Sequence, residues 1–448
     1  MDDATAETLG RAWQSDRPWS VLTRLTELDD RFTGHPGARN AAAIVADAFE
    51  DAGVRAVHEL SFDIRRWRRG DAELAVSVPT RDVSRSFETI ALPYCPAYED
   101  TAPLVDVGYG TPAELDDADV SGAIALTSTE TPPGFGRRYH RVEKVGHAAA
   151  AGAEGFVFVN DAPGGLPQTG TLTFGSEAAI PGVGVSKEAG AWLREYAEDG
   201  ARAHLRVTAR TEPGRGHNVV GHLGPDTAEE VLALAHYDAH DVGEGALDNG
   251  CGVATLVGMA EIFARLDLDR RVRIAAVSGE EIGLLGSEAL AETLDVESVR
   301  AVVNVDGAGR FRNLTALTHA STPLADLVER VADDVGHPIT VDDTPHPYSD
   351  HWPFLRNGTP ALQLHSRDDT PNGEGPWTRG WTHTRADTRD KADPRIIRDH
   401  AMLGGLLVWH LTRADLPRVA PETVRDRLIE QGADQGMRAA GVWPAAWE

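Results

Sequence analysis

Five short segments carry side chains that could bind metal ions or move protons. In H-Y-D (236–238) the two polar residues stand at i and i+2, which point the same way in an extended segment. Asp238 could therefore hydrogen-bond the far nitrogen of His236 and orient that ring toward a metal. In G-A-L-D-N-G-C-G (245–252), Asp248 precedes a glycine-flanked turn and reads either as a ligand or as the N-cap of the next helix. S-G-E-E-I-G-L-L-G-S (278–287) sets Glu280 beside Glu281. At a strand end, adjacent side chains face opposite ways, so one carboxylate can hold a metal while the other stays free as a base. A solvated acidic pair opening a helix is the alternative. N-V-D-G-A-G (304–309) adds Asp306, otherwise a turn residue, and H-T-R-A-D-T (383–388) adds His383, otherwise a core or surface histidine.

What could bring these segments together is the run that precedes each. V-L-A-L-A (231–235), V-R-I-A-A-V (272–277), A-V-V-N-V (301–305) and A-L-Q-L (361–364) are continuous apolar runs with helical stretches between several of them. That alternation predicts strands buried on both faces of a mixed, largely parallel α/β sheet. Ligands of such sheets bind beyond the carboxyl ends of the strands, where His236, Asp238, Glu280, Glu281 and Asp306 would lie. Upstream, 38–53 has helical periodicity closed by Gly53, and 54–62 reads as a strand. Between about 75 and 210 the texture changes to short strands and many turns. Residues 1–75 and 211–448 are therefore expected to form one domain, with 76–210 a smaller β-rich insertion.

The ordered set H-x-D, D-N, E-E, D and H, with the flanking A-H-Y-D, G-A-L-D-N-G, E-E-I-G-L-L-G-S and S-D-H-W-P-F, resembles the co-catalytic di-zinc aminopeptidase family of bacterial leucyl aminopeptidases and glutamate carboxypeptidase II. The likeness covers about residues 212–410. It implies that His236 and Asp306 bind one Zn2+, that Glu281 and His383 bind a second, that Asp248 bridges them, and that Glu280 is the general base. Two such ions would polarise a scissile carbonyl and acidify water, and peptides would be the substrates. S-G-A-I-A-L-T (121–127) and R-V-E-K-V-G-H-A-A-A-A-G-A-E-G-F-V-F-V-N (141–160) resemble a protease-associated domain, an insertion common in this family. Several members place an oxyanion-stabilising tyrosine just before the last histidine ligand. Thr382 stands there in this chain, which leaves Tyr348 as the candidate for that role. Cys251 is expected to be a packed residue, since the ligand set is full without it. The S-D-H at 349–351 is also found in related single-zinc glutaminyl cyclases, and a carboxypeptidase or a non-catalytic binding protein on the same scaffold are further alternatives. The E-E pair and the complete ligand set favour a peptidase.

Composition narrows the partners. The formal charge is −27, from 70 acidic against 43 basic residues, so nucleic acid and anionic membrane are expected to be repelled. Lysine is confined to Lys144, Lys187 and Lys391. An acid-rich, lysine-poor surface suits concentrated salt, where the Debye length falls to about 3 Å at 1 M, and a halophilic source is expected. No signal-like or membrane-spanning run is read, and Cys95 and Cys251 are too few for a disulfide framework, which together predict a cytoplasmic chain. Oligomeric state leaves no sequence signal.

Overall fold

Strands whose side chains are apolar on both faces must be covered on both, and the computed structural model has them at the centre of a sheet. The structure describes residues 2–367 and 380–448. By contact the chain divides into two units: Met1–Ile64, Arg215–Gly373 and Asp387–Arg427 form the first, and Arg65–Gly214, Glu374–Ala386 and Leu428–Glu448 the second.

The first unit is built on an eight-stranded sheet of β1 (Arg55–Arg68), β2 (Arg210–Leu223), β3 (Glu230–His236), β4 (Arg271–Val277), β5 (Val299–Val305), β6 (Asn313–Leu317), β7 (Thr340–Asp342) and β8 (Ala361–Arg367), in the order β1-β2-β4-β3-β5-β8-β6-β7. All four apolar runs are strands of this sheet. The central pairs β4–β3, β3–β5 and β5–β8 are parallel, whereas β2–β4 and β8–β6 are antiparallel, which makes the sheet mixed. β3 is buried along its whole length. Val231, Ala233 and Ala235 join a core with the helices α1 (Pro36–Asp51), α2 (Cys251–Phe263) and α3 (Pro394–Leu411). Leu232 and Leu234, on the opposite face by alternation, are equally buried.

Register then does the positioning. His236 pairs with Val277, Leu234 with Asn304, and Val305 with Leu364. Three neighbouring parallel strands therefore end together, and the chain leaves them at Asp238, Glu280 and Asp306.

The second unit also has an eight-stranded mixed sheet, parallel through Tyr98–Asp106, Ile124–Ser128, Gly155–Val159 and Gly182–Val185. Helix Arg141–Ala150 follows from a capping box in which the His140 ring accepts from a backbone N–H and Glu143 reaches back to the His140 N–H. Arg137 and Glu143 form a buried two-point ion pair at 2.8 and 2.7 Å, and Arg137 also donates to the carbonyls of Gln431 and Gly432. The C-terminal residues are thereby tied to this unit. Among the described residues, no helix is long and apolar enough to cross a membrane.

Candidate metal centre

The carboxylates at the strand ends are fixed by neighbouring donors, and one of them keeps an oxygen for the site. That one is Asp306. Its Oδ2 accepts from Ser349 Oγ at 2.6 Å and Gln363 Nε2 at 3.2 Å, while Oδ1 lies 3.8 Å from His236 Nε2. Asp248 is set by backbone: its own N–H and that of Leu247 donate to Asp387, at 3.1 and 2.7 Å. Asn249 fastens the same turn to the end of β5 by donating to the Val305 carbonyl at 2.8 Å. The Asp248–Asn249 peptide is cis. Gly252 is required here, because a Cβ would come within 2.2 Å of the Asn249 side chain.

His236 leaves β3 with its ring buried. Nδ1 lies 3.1 Å from the Asp238 backbone oxygen, which can only accept, so Nδ1 carries the proton in this contact. The expected partner was the Asp238 carboxylate, but Oδ1 is 3.6 Å away, beyond a hydrogen bond. That carboxylate is engaged elsewhere: it accepts from Thr33 Oγ1 at 2.8 Å and from the backbone N–H groups of Glu280 and Glu281 at 3.4 and 3.3 Å. Asp238 thus positions the E-E pair directly.

Nε2 of His236 has no hydrogen-bond partner among the described residues. Asp248 Oδ1 stands 3.5 Å from it, and His236, Glu280 and Asp306 offer ligand atoms within 4.8 Å of one another. Donors that share a tetrahedral zinc at about 2.0–2.2 Å are about 3.5 Å apart, so this spacing fits a cation better than a hydrogen-bond network. Electrostatics points the same way. Burial opposes a charge on His236, yet Glu280, Asp238, Asp248 and Asp306 outweigh it and raise the imidazole well above its usual value. Burial pushes Glu280 well above the carboxylate range, against His236 and with Glu281, Asp306 and Asp350 adding to the rise. Carboxylates outnumber the cationic side chains beside them, of which Arg310 is 3.0 Å from Asp248 Oδ1.

Four residues here went unremarked in the sequence. Arg31 donates to the carbonyls of Tyr237, Leu25, Glu244 and Gly245 and so shapes the loop after β3. Arg310 Nη2 is 3.0 Å from Asp248 Oδ1 and its Nε donates to the Leu247 carbonyl. His240 Nε2 is 2.9 Å from Glu281 Oε2, and Asp387 holds the turn at Asp248. An arginine binding carbonyls or a carboxylate binding amides has no local signature, so only the fold could reveal them.

His236, Asp238, Asp248, Glu280, Glu281 and Asp306 all lie in the first unit. Thr382 and His383 belong to the second. His383 is buried with φ 62°, its carbonyl accepts from the Thr169 N–H at 2.9 Å, and its Nδ1 is 3.2 Å from the Thr169 oxygen. Tyr348 is buried, its ring meeting His346 edge-on at 5.9 Å. Cys251 is fully buried among Leu22, Ala246, Leu247, Ala254 and Ile397, and burial pushes its thiol up to about 12. In the S-D-H segment, Asp350 accepts from Ser287 Oγ at 2.6 Å, and His351 has Nε2 at 2.8 Å from the His346 carbonyl and stacks on His319 at 4.1 Å.

Comparison with known proteins agrees with this architecture. Residues 218–406 match Peptidase family M28 and residues 100–193 match the PA domain. Aminopeptidase YwaD of Bacillus subtilis is 25% identical over 438 residues, covering 94% of this chain and 90% of that protein. A probable leucine aminopeptidase 2 of Aspergillus fumigatus is 27% identical over 321 residues, covering 66% of this chain and 60% of that protein. Among solved structures, the peptidase M28 precursor of Shewanella amazonensis superposes with a TM-score of 0.75 at 21% identity, covering 93% of this chain and 98% of its own. The zinc aminopeptidase of B. subtilis gives 0.68 at 24%, covering 88% and 94%, and these two establish likeness of fold. With strand ends, carboxylates and histidine in this arrangement, and both sequence matches falling on the expected segments, residues 218–406 are a peptidase family M28 region and residues 100–193 a PA domain.

Proposed function

We propose that the protein is a zinc-dependent aminopeptidase that removes N-terminal residues from peptides, with Glu280 as its base. The observation that carries this reading is the buried His236 Nε2, without a hydrogen-bond partner among the described residues and ringed by Asp248, Asp306 and Glu280. Relatives named aminopeptidase YwaD and leucine aminopeptidase 2, and a structural neighbour described as a zinc aminopeptidase, support it. His236 and Asp306 would hold one ion; the resemblance assigns Glu281 and His383 to a second and Asp248 to both. Zinc bound there supplies Lewis acidity, polarising the scissile carbonyl and bringing the pKa of water toward about 7.

The chain's own residues do the rest. Glu280 takes a proton from the attacking water and returns it to the departing amine. Asp238 fixes Glu280 and Glu281 through their backbone N–H groups, and Asp387 presents Asp248. Tyr348 is the candidate to steady the developing oxyanion. Along the chain, residues 1–75 and 211–448 constitute the peptidase domain in this reading, with 76–210 inserted, although by contact Leu428–Glu448 groups with the second unit. The acid excess is an adaptation to concentrated salt, and full stability in dilute buffer would refute that part.

A panel of aminoacyl p-nitroanilides, with N-acetylated controls and a chelator, tests the function. Chelator-sensitive cleavage of the free-amine substrates alone is expected. Equal cleavage of acetylated substrates would rule out an aminopeptidase.

A further inference from the structure

His240 belongs to no motif assigned above, yet it lies within the chemistry. The segment H-Y-D-A-H (236–240) leaves β3 and runs past the E-E pair. Asp238 holds the backbone of Glu281 from this segment, and His240 reaches the same residue's carboxylate, Nε2 to Oε2 at 2.9 Å. Both side chains are only 3% exposed. The Phe32 ring stacks on the imidazole, centroids 5.9 Å apart and planes 26° from parallel, so the ring plane is set by packing. Phe32 is itself fully buried and follows Arg31, which shapes the same loop. Imidazole nitrogen and carboxylate oxygen are the donor types that zinc takes, and their 2.9 Å approach is that of an ion pair, which an ion shared by both would widen to about 3.5 Å.

We propose that His240 is a further nitrogen ligand of the ion held by Glu281. This rests on the di-zinc reading above. The two ions then differ in kind. His236 and Asp306 hold one, while the other gains a second imidazole from the same five-residue segment and becomes richer in protein ligands. The ligand-rich ion has the more closed coordination shell and is the slower to leave. The other keeps more of its coordination open. A single exit loop would thus supply one imidazole to each ion, with Asp238 between them clamping the glutamate pair.

The test uses the full chain, stripped with chelator and titrated with zinc by calorimetry, and separately loaded with Co2+ for visible absorption. Wild type should bind two ions. His240→Ala should keep one at wild-type affinity and lose the other, or weaken it by more than the roughly 10–100-fold typical of an outer-shell partner. Its Co2+ spectrum should report one nitrogen donor fewer. His240→Gln retains size and an N–H donor without an imidazole, so it serves as the second variant if alanine fails to fold. Failure of glutamine to restore the second ion supports ligation. Restoration by glutamine, or two wild-type affinities in either variant, overturns the proposal and leaves His240 as a packing or ion-pairing residue. A wild-type chain that binds no zinc overturns the functional reading together with this one, whereas normal wild-type binding with unaffected variants overturns this one alone.

Discussion

The two units treat charge inside the protein in opposite ways. In the second unit a buried pair is balanced locally, Arg137 meeting Glu143 through two hydrogen bonds, while the buried Lys144 is held by the carbonyls of Ser128 and Glu130, each 2.7 Å from Nζ, with the Tyr139 ring 5.2 Å away. In the first unit Asp238, Asp248, Glu280, Glu281, Asp306, Asp350 and Asp387 gather around one place. The arginines beside them do not match that charge, because Arg31 uses its donors on carbonyls. Arg310 pairs with Asp248. Bringing a charge out of water is costly unless it is paired, so a balanced set can be structural, whereas an excess of one sign calls for a counter-ion from outside. The same burial that makes Arg137–Glu143 a clasp would, in the proposed reading, make the carboxylate cluster a cation site.

The largest effect that would break this contrast lies on the base. Glu280→Gln should lower kcat by about 10²–10⁴-fold with zinc content unchanged, measured by steady-state hydrolysis beside metal analysis. Loss of zinc in this variant would instead make Glu280 a ligand. Next, Glu143→Gln leaves Arg137 charged and unpaired, and should cost about 3–5 kcal/mol in chemical denaturation while zinc affinity is unchanged. Chelation should act on the other unit. With zinc at about a thousandfold over its Kd, its removal withdraws about 4 kcal/mol, and hydrogen exchange should rise around His236, Asp248 and Asp306 but not along Arg141–Ala150. Asp387→Asn puts an N–H donor against the Leu247 and Asp248 amides. It should reduce kcat/KM by about 10–100-fold with circular dichroism preserved.

The smallest effect is a pH slope. Burial lowers Lys144 from 10.5 to about 7. Between those values the unfolded chain binds the proton that the folded chain releases, so this group makes stability rise with pH from about 7 upward and lose that gain on return. Lys144→Met should flatten the slope between pH 7 and 8.5 in unfolding experiments. An unchanged slope would mean that the ammonium stays charged under its two carbonyls.

Much of the site was legible because its residues follow uninterrupted apolar runs. His236, Glu280 and Asp306 could be located by the strands that precede them, and parallel pairing fixed their proximity. Asp238 shows the limit. The i, i+2 spacing correctly put it near His236, but which atom it engages depended on Thr33 and the Glu280 and Glu281 amides, which approach from distant segments. Asp387 and Arg31 act through backbone groups that any residue supplies, so their partners' identities hold no trace of them.

The order of ligand types, the mixed α/β sheet and the family resemblance were determined by the sequence alone, because burial on both faces forces continuous apolar strands and parallel strands end on one side. The tertiary structure alone decided which oxygens of each carboxylate its neighbours engage, that His236 turns Nε2 toward Asp248 and Asp306, and that His240 meets Glu281. Those outcomes depend on contacts between residues far apart in the chain, and an ångström separates a hydrogen bond from a ligand's spacing.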